Sequence, residues 1–238
     1  PNHLEFLLSY GYNENDEDLK KHLRKTLFCI ANGGIYDHVE GGFARYSTDA
    51  SWKVPHFEKM LYDNAQLIAL YSNAARSISD VSEQRFYRAV VVETFGYLLG
   101  NLRTPSGSYL CAQDADSGGS EGGYYCWTEA ELKELLKTEL SWFKELYNIR
   151  PDTCWENDLF ILQKTESISA FALKQNWTED EAYAHLNRVK LILSERREKR
   201  IKPSIDTKSL TSWNALLIDG FCQAYLAFNH NQMLNEAN

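Results

Sequence analysis

Four stretches concentrate side chains that can move protons or hold polar ligands. The first is Asp37-His38-Val39-Glu40-Gly41-Gly42-Phe43-Ala44-Arg45-Tyr46-Ser47-Thr48-Asp49, in which Asp37 could orient the His38 imidazole and Arg45 could hold an anion or a hydroxyl. The second contains His56, Asp63 and Asn64, three polar residues intruding on an otherwise apolar arc when Pro55 to Ser77 is projected as a helix. Buried polar groups need partners, so His56 and Asp63 either satisfy neighbouring backbone or project into a cleft. In a cleft, His56 would act as acid, base or ligand, because an ordinary imidazole titrates near neutrality.

The third stretch is Gln113-Asp114-Ala115-Asp116-Ser117-Gly118-Gly119-Ser120-Glu121-Gly122-Gly123. It fails as an EF-hand, since glycine stands at the fifth position and Tyr125 at the twelfth. Gly118 to Gly122 spells a nucleophile-elbow pattern, but that motif requires strand, turn and helix in an α/β sheet. The lysine of a phosphate-binding loop is missing. What remains is the set Asp114, Asp116 and Glu121, suited to sugar hydroxyls or glycosidic acid/base work, and equally to solvated turns. The fourth is a pair of aromatic and polar juxtapositions, Trp155-Glu156 and Trp213-Asn214. Each tryptophan fits a core role, and together they fit the wall of a polar, aromatic-lined cleft.

The elements that position these residues read as helices. Apolar periodicity and stop signals predict helices from about Asn15 to Asn32, Pro55 to Ser77, Val81 to Arg103, Thr128 to Asn148, Thr178 to Arg200 and Ser209 to Phe228. A shorter helix fits Ser167–Gln175. Capping boxes at Thr128/Glu131 and Thr178/Glu181 mark two of the starts. Strand signals are nearly absent, so the class is all-α. Six main helices make three hairpins, and their glycine-punctuated loops should gather at one end around an acidic hollow. The last helix, apolar almost all round, should be buried; those starting at Val81 and Thr178 carry charged faces and should lie outside.

Composition narrows the partners. The 238 residues carry 33 acidic and 25 basic side chains, a formal charge of −8 that disfavours phosphate backbones and hence nucleic acid. No apolar run reaches the roughly 20 residues that cross a bilayer, so no membrane partner is expected. Five cysteines without a CxxC pair argue against a disulfide framework and against a zinc site, and fit free thiols in a reducing, cytoplasmic setting. No metal or other cofactor is expected.

The segment GGIYDHVEGGFARYSTDASWKVPHFEKMLYDNAQL resembles the signature of the family of spermatogenesis-associated protein 20 and the bacterial YyaL-type proteins. AQDADSGGSEGGYYCWT, WENDLFIL and DTKSLTSWNAL resemble that family's later motifs, in the same order. The resemblance implies a thioredoxin-like domain followed by an (α/α) toroid similar to N-acylglucosamine 2-epimerases and six-hairpin glycosidases. Residues 1–238 would be a partial toroid of about three hairpins, without the thioredoxin-like domain. Within the signature, Glu40 stands for a usual glycine and Ala44 for a usual histidine. The resulting expectation is an epimerase-like or glycosidase-like domain acting on a small sugar. His38 and His56 would transfer protons and Asp37 would orient. Arg45, Asp63, Asp114, Asp116, Glu121, Trp155, Glu156, Trp213 and Asn214 would contact substrate. The alternative is a non-catalytic scaffold that presents clients to the thioredoxin-like domain.

Overall fold

The computed structural model describes residues 1–238. Ten α-helices run in chain order as α1 (Asn2–Asn13), α2 (Glu17–Asn32), α3 (Leu61–Arg76), α4 (Val81–Asn101), α5 (Glu129–Leu136), α6 (Leu140–Leu146), α7 (Ile168–Gln175), α8 (Glu179–Arg197), α9 (Thr211–Phe228) and α10 (Asn231–Ala237). Between them lie nine two-residue strands: β1 (Tyr46–Ser47), β2 (Pro55–His56), β3 (Lys59–Met60), β4 (Ala112–Gln113), β5 (Asp116–Ser117), β6 (Ser120–Glu121), β7 (Trp127–Thr128), β8 (Leu159–Phe160) and β9 (Ile205–Asp206). The class is all-α. Sequence-adjacent helices pack as α/α hairpins, α1 on α2, α3 on α4, α7 on α8 and α9 on α10, the organisation of an (α/α) toroid.

Local chemistry fixes five of the ten helix starts. The Asp16 and Asp80 carboxylates accept from the Leu19 and Glu83 amides at 3.0 and 2.9 Å, capping α2 and α4. Thr178 and Glu181 close the expected capping box on α8, and Thr128 and Ser167 cap α5 and α7. Helix α3 lies at the centre of the larger core, against α4 and α9. A smaller core gathers α5 to α8 around Trp127, Phe143 and Phe171.

Several boundaries differ from the sequence expectation. The chain starts with an additional helix, α1, and Asn15 takes a left-handed conformation (φ 54°) between it and α2. The region expected to continue to Asn148 breaks at Lys137 (φ 45°) into α5, a 3-10 turn and α6. The largest correction concerns Pro55: the helix begins only at Leu61, and Pro55–His56 and Lys59–Met60 are strands. Register pairs Tyr46 with His56, Lys59 with Gln113 and Met60 with Ala112, so edges supplied by distant loops override local helical periodicity.

Helix α9 is also half exposed. Leu217, Phe221 and Ala224 face the core, while Leu216, Ile218 and Leu226 are 39%, 47% and 61% exposed, because no element covers that side. Helices α4 and α8 each turn one apolar stripe inward. The segments before α3, after α4 and before α9 meet in a three-stranded antiparallel sheet of order β3-β4-β9, the last of them without a glycine. All five cysteines are free thiols, and no helix is long and apolar enough to cross a membrane.

Candidate functional site

His56 stands at the centre of the polar end. Strand β2 holds it half-buried against β1, where the Tyr46 ring stacks on the imidazole at 5.0 Å and 28°. Its Nδ1 lies 2.8 Å from Glu121 Oε1 and its Nε2 lies 3.6 Å from Glu58 Oε2. An ionised carboxylate only accepts, so the contact with Glu121 makes Nδ1 the donor and leaves Nε2 as the basic nitrogen, facing Glu58. Glu121 is held in turn: its Oε1 also accepts from the Phe57 amide at 3.2 Å, and β6 pairs it with Asp116 on β5.

Arg45 donates to Glu58 Oε2 at 3.2 Å, while its own amide donates to the Glu58 carbonyl at 2.8 Å. Asp114 completes this side. Its carboxylate accepts from the Asp116 amide at 3.3 Å and the Ser204 hydroxyl at 3.0 Å, and these bonds hold its pKa below the usual carboxylate range, with His56 contributing. His56, Arg45, Asp114, Asp116 and Glu121 are thus brought together from loops up to 76 positions apart, with Glu58 as an additional member.

The remaining expected site residues each have their own neighbours. Asp63 sits in the first turn of α3, where its Oδ2 is buried with no hydrogen-bond partner. Burial pushes its carboxyl up to about 6, against the positive charge of the Pro1 amino group and Arg45. Trp213 packs edge-on against Tyr62 at 4.7 Å on the α9 side. Trp155 lies beside Phe57 at 5.6 Å, and Glu156 is exposed in the turn that leads to β8. Asn214 is occupied as a tie: Oδ1 accepts from the Tyr109 amide at 2.8 Å, and Nδ2 donates to the Tyr109 and Leu210 carbonyls at 3.0 Å each.

The structure places Asp37 and His38 elsewhere, inside the molecule. His38 is 2% exposed, with Nε2 3.0 and 3.2 Å from the Gly33 and Asn32 carbonyls. Burial, aided by the Lys164 and Lys190 charges, drives its pKa well below the normal imidazole value. Asp37 does not orient it. The Asp37 oxygens accept from Lys59 Nζ at 2.8 Å, from Arg197 at 2.8 and 2.9 Å and from the Val39 amide at 3.0 Å. Burial alone would raise the Asp37 pKa, but the two cations overcome it and hold the carboxyl far below its ordinary range. The adjacency Asp37-His38 suggested a dyad because neighbouring residues were read as sharing a direction; in the folded loop they diverge.

Sequence reasoning missed Glu58, Lys59, Tyr62 and Arg197. A helix running from Pro55 would turn the first three outward, but its first turns do not exist, and Lys59 is 2% exposed and lies over the Tyr97 ring at 4.2 Å. The β-branch-poor, proline-initiated stretch carries no local strand signal. Arg197 sits in the run Glu195-Arg196-Arg197-Glu198-Lys199-Arg200, which resembles a solvated helix end.

No family model matches the chain. It is 32% identical over 257 residues to human spermatogenesis-associated protein 20, covering 98% of this chain and 32% of that protein. The mouse protein of the same name gives the same identity and coverage. A Caenorhabditis elegans protein is 30% identical over 261 residues, covering 98% of this chain and 35% of the relative. The chain therefore spans about a third of the length of the curated relatives it matches. Among solved structures, a sugar epimerase from a ruminal bacterium aligns with a TM-score of 0.41 and 18% identity, over 98% of this chain and 71% of that one.

Proposed function

This chain belongs, over its matched length, to the family of spermatogenesis-associated protein 20, and from that premise we propose that its polar end is a sugar-binding, acid/base site. The observation that carries the reading is the imidazole of His56 between two carboxylates, Glu121 on Nδ1 and Glu58 toward Nε2. Glu121 selects the tautomer in which Nε2 takes a proton, and Glu58 stabilises the imidazolium that results. Arg45, Asp114 and Asp116 supply donors and acceptors for hydroxyl groups, and Tyr46 and Trp213 supply aromatic faces. In the longer proteins of this family, proton transfer at a sugar carbon or glycosidic oxygen, as in an epimerase or a glycosidase, is the reaction such a group could serve. His38 and Asp37 enter as structural residues.

The test is a panel of free sugars and N-acylsugars, read by calorimetry and by solvent-deuterium exchange into the sugar, with the full-length relative assayed beside this chain. Binding that His56→Gln and Glu121→Gln reduce at least tenfold supports the reading. No binding by either protein overturns it.

The exposed Leu216, Ile218 and Leu226 on α9 favour a second reading, a scaffold that packs this face against another domain, such as the thioredoxin-like domain of the family. Under it, His56→Gln and Glu121→Gln leave function intact and charges introduced on α9 abolish it.

A further inference from the structure

Beneath the loop Arg45–Trp52 lies a cavity of about 400 Å³, open to solvent, between α1, the end of α2 and the first turns of α3. Leu4, Ile30, Ile35, Trp52 and Leu67 give it apolar walls. Two carboxylates reach it. Asp49 is fully engaged, accepting from the Ser51, Lys53 and Val54 amides and fixing the loop. Asp63 is not: its Oδ2 is shielded from solvent and has no partner.

We propose that this cavity binds a protonated amine carried on a compact apolar group, with Asp63 as its counter-ion. A carboxylate oxygen shielded in an apolar wall without a partner is costly, and an ammonium both neutralises the charge and fills the empty acceptor site. A neutral hydroxyl fills only the acceptor site. The aromatic lining from Tyr46 and Trp52 adds attraction for a cation that it does not add for a neutral group.

The charges facing Asp63 agree with this assignment. Arg45 is the nearest fixed cation on the loop, but its guanidinium is directed to Glu58 at 3.2 Å. Glu58 and Tyr62 are the other titratable neighbours. The raised Asp63 pKa, about 6, reflects the burial that an incoming ammonium would offset. The site stands independently of the sugar reading, although Arg45 and Tyr46 border both.

The test compares benzylamine with benzyl alcohol, an isostere of nearly the same shape, by titration calorimetry and by the Trp52 indole NMR signal. At pH 7.5 the amine is expected to bind at least tenfold more tightly. Asp63→Asn should bring the two affinities within about twofold while leaving benzyl alcohol binding unchanged. In the native chain the amine's advantage should fall between pH 7 and 5 as Asp63 takes up its proton, since benzylamine stays charged throughout. Because Asp63→Asn removes only a charge from an isosteric side chain, its thermal unfolding confirms that the comparison is made on folded protein. Equal affinity for amine and alcohol, an unchanged preference in Asp63→Asn, or no saturable binding of either compound overturns the proposal.

Discussion

Arg197 and Asp37, 160 positions apart, meet in the interior: the Arg197 guanidinium nitrogen donates to both Asp37 oxygens at 2.9 and 2.8 Å, with side chains 1% and 5% exposed. Lys59 reaches the same carboxylate, and the Arg197 guanidinium also lies over the Tyr124 and Tyr125 rings at 5.3 and 5.5 Å. This contact joins the end of α8, which packs into the smaller core, to the loop after α2 in the larger one.

Removing one partner leaves a buried charge uncompensated. Arg197→Met is therefore expected to cost about 3–5 kcal/mol in urea unfolding at pH 7. Arg197→Lys should also destabilise, because an ammonium loses the second guanidinium nitrogen's bond to the Tyr125 carbonyl and the planar contact with the Tyr124 and Tyr125 rings. A loss under about 1 kcal/mol in both variants would refute the pairing.

The rim behaves differently. His56 and Glu121 are 28% and 44% exposed, and screened pairs of this kind contribute at most about 1 kcal/mol. His56→Gln and Glu121→Gln should thus unfold within about 1 kcal/mol of the native chain while losing sugar binding at least tenfold. A large stability loss with binding retained would assign both residues to the framework.

Asp63 predicts a pH-dependent gain. Its folded pKa, about 6, lies above the ordinary value of 3.8, so the native chain is stabilised by protonation below pH 4 and loses that stability as pH rises through 6. Asp63→Asn should be more stable than the native chain at pH 7.5, by about 1 kcal/mol after allowing for its partial exposure. The difference should close below pH 4. Melting curves across pH 3.5–8 decide it, and a constant offset would contradict the assignment.

The two imidazoles should differ chemically. His38 is buried and its pKa is driven down, so it stays neutral in the folded chain below the pH at which an unfolded histidine charges. It therefore contributes an acid-labile element, with stability lost as pH falls through the ordinary histidine range. Carbethoxylation followed by peptide mapping should modify His56 and spare His38; equal labelling of both would contradict the burial.

Two glycines test the helix packing. At Gly220 a Cβ would lie 2.6 Å from the Ala65 carbonyl oxygen, where α9 crosses α3, whereas at Gly96 on α4 nothing lies within 4 Å. Gly220→Ala should cost about 1–3 kcal/mol. Gly96→Ala should add about 0.5–1 kcal/mol, because alanine loses less backbone entropy in a helix interior. Equal effects would mean α9 does not approach α3 so closely.

How much was legible depended on the range of the interactions. The all-α class and the capped starts at Thr128 and Thr178 follow from local rules, in which neighbours three or four residues apart decide the backbone. The residue types of the rim, His56, Arg45, Asp114, Asp116 and Glu121, were likewise readable, since polar groups beside glycines and aromatics stand out in any projection. Tertiary structure decided what those residues touch. Local periodicity would extend a helix over Lys59 and turn it outward, but the pairing of Lys59 with Gln113 and of Met60 with Ala112 turns it inward. Arg197 looked solvated until Asp37, in a loop far along the chain, gave its charge a partner. Desolvation separated two histidines and two aspartates of identical chemistry, burying His38 and Asp37 while leaving His56 open and Asp63 without a partner. Burial is a property of the whole packed chain, so no local pattern encodes it.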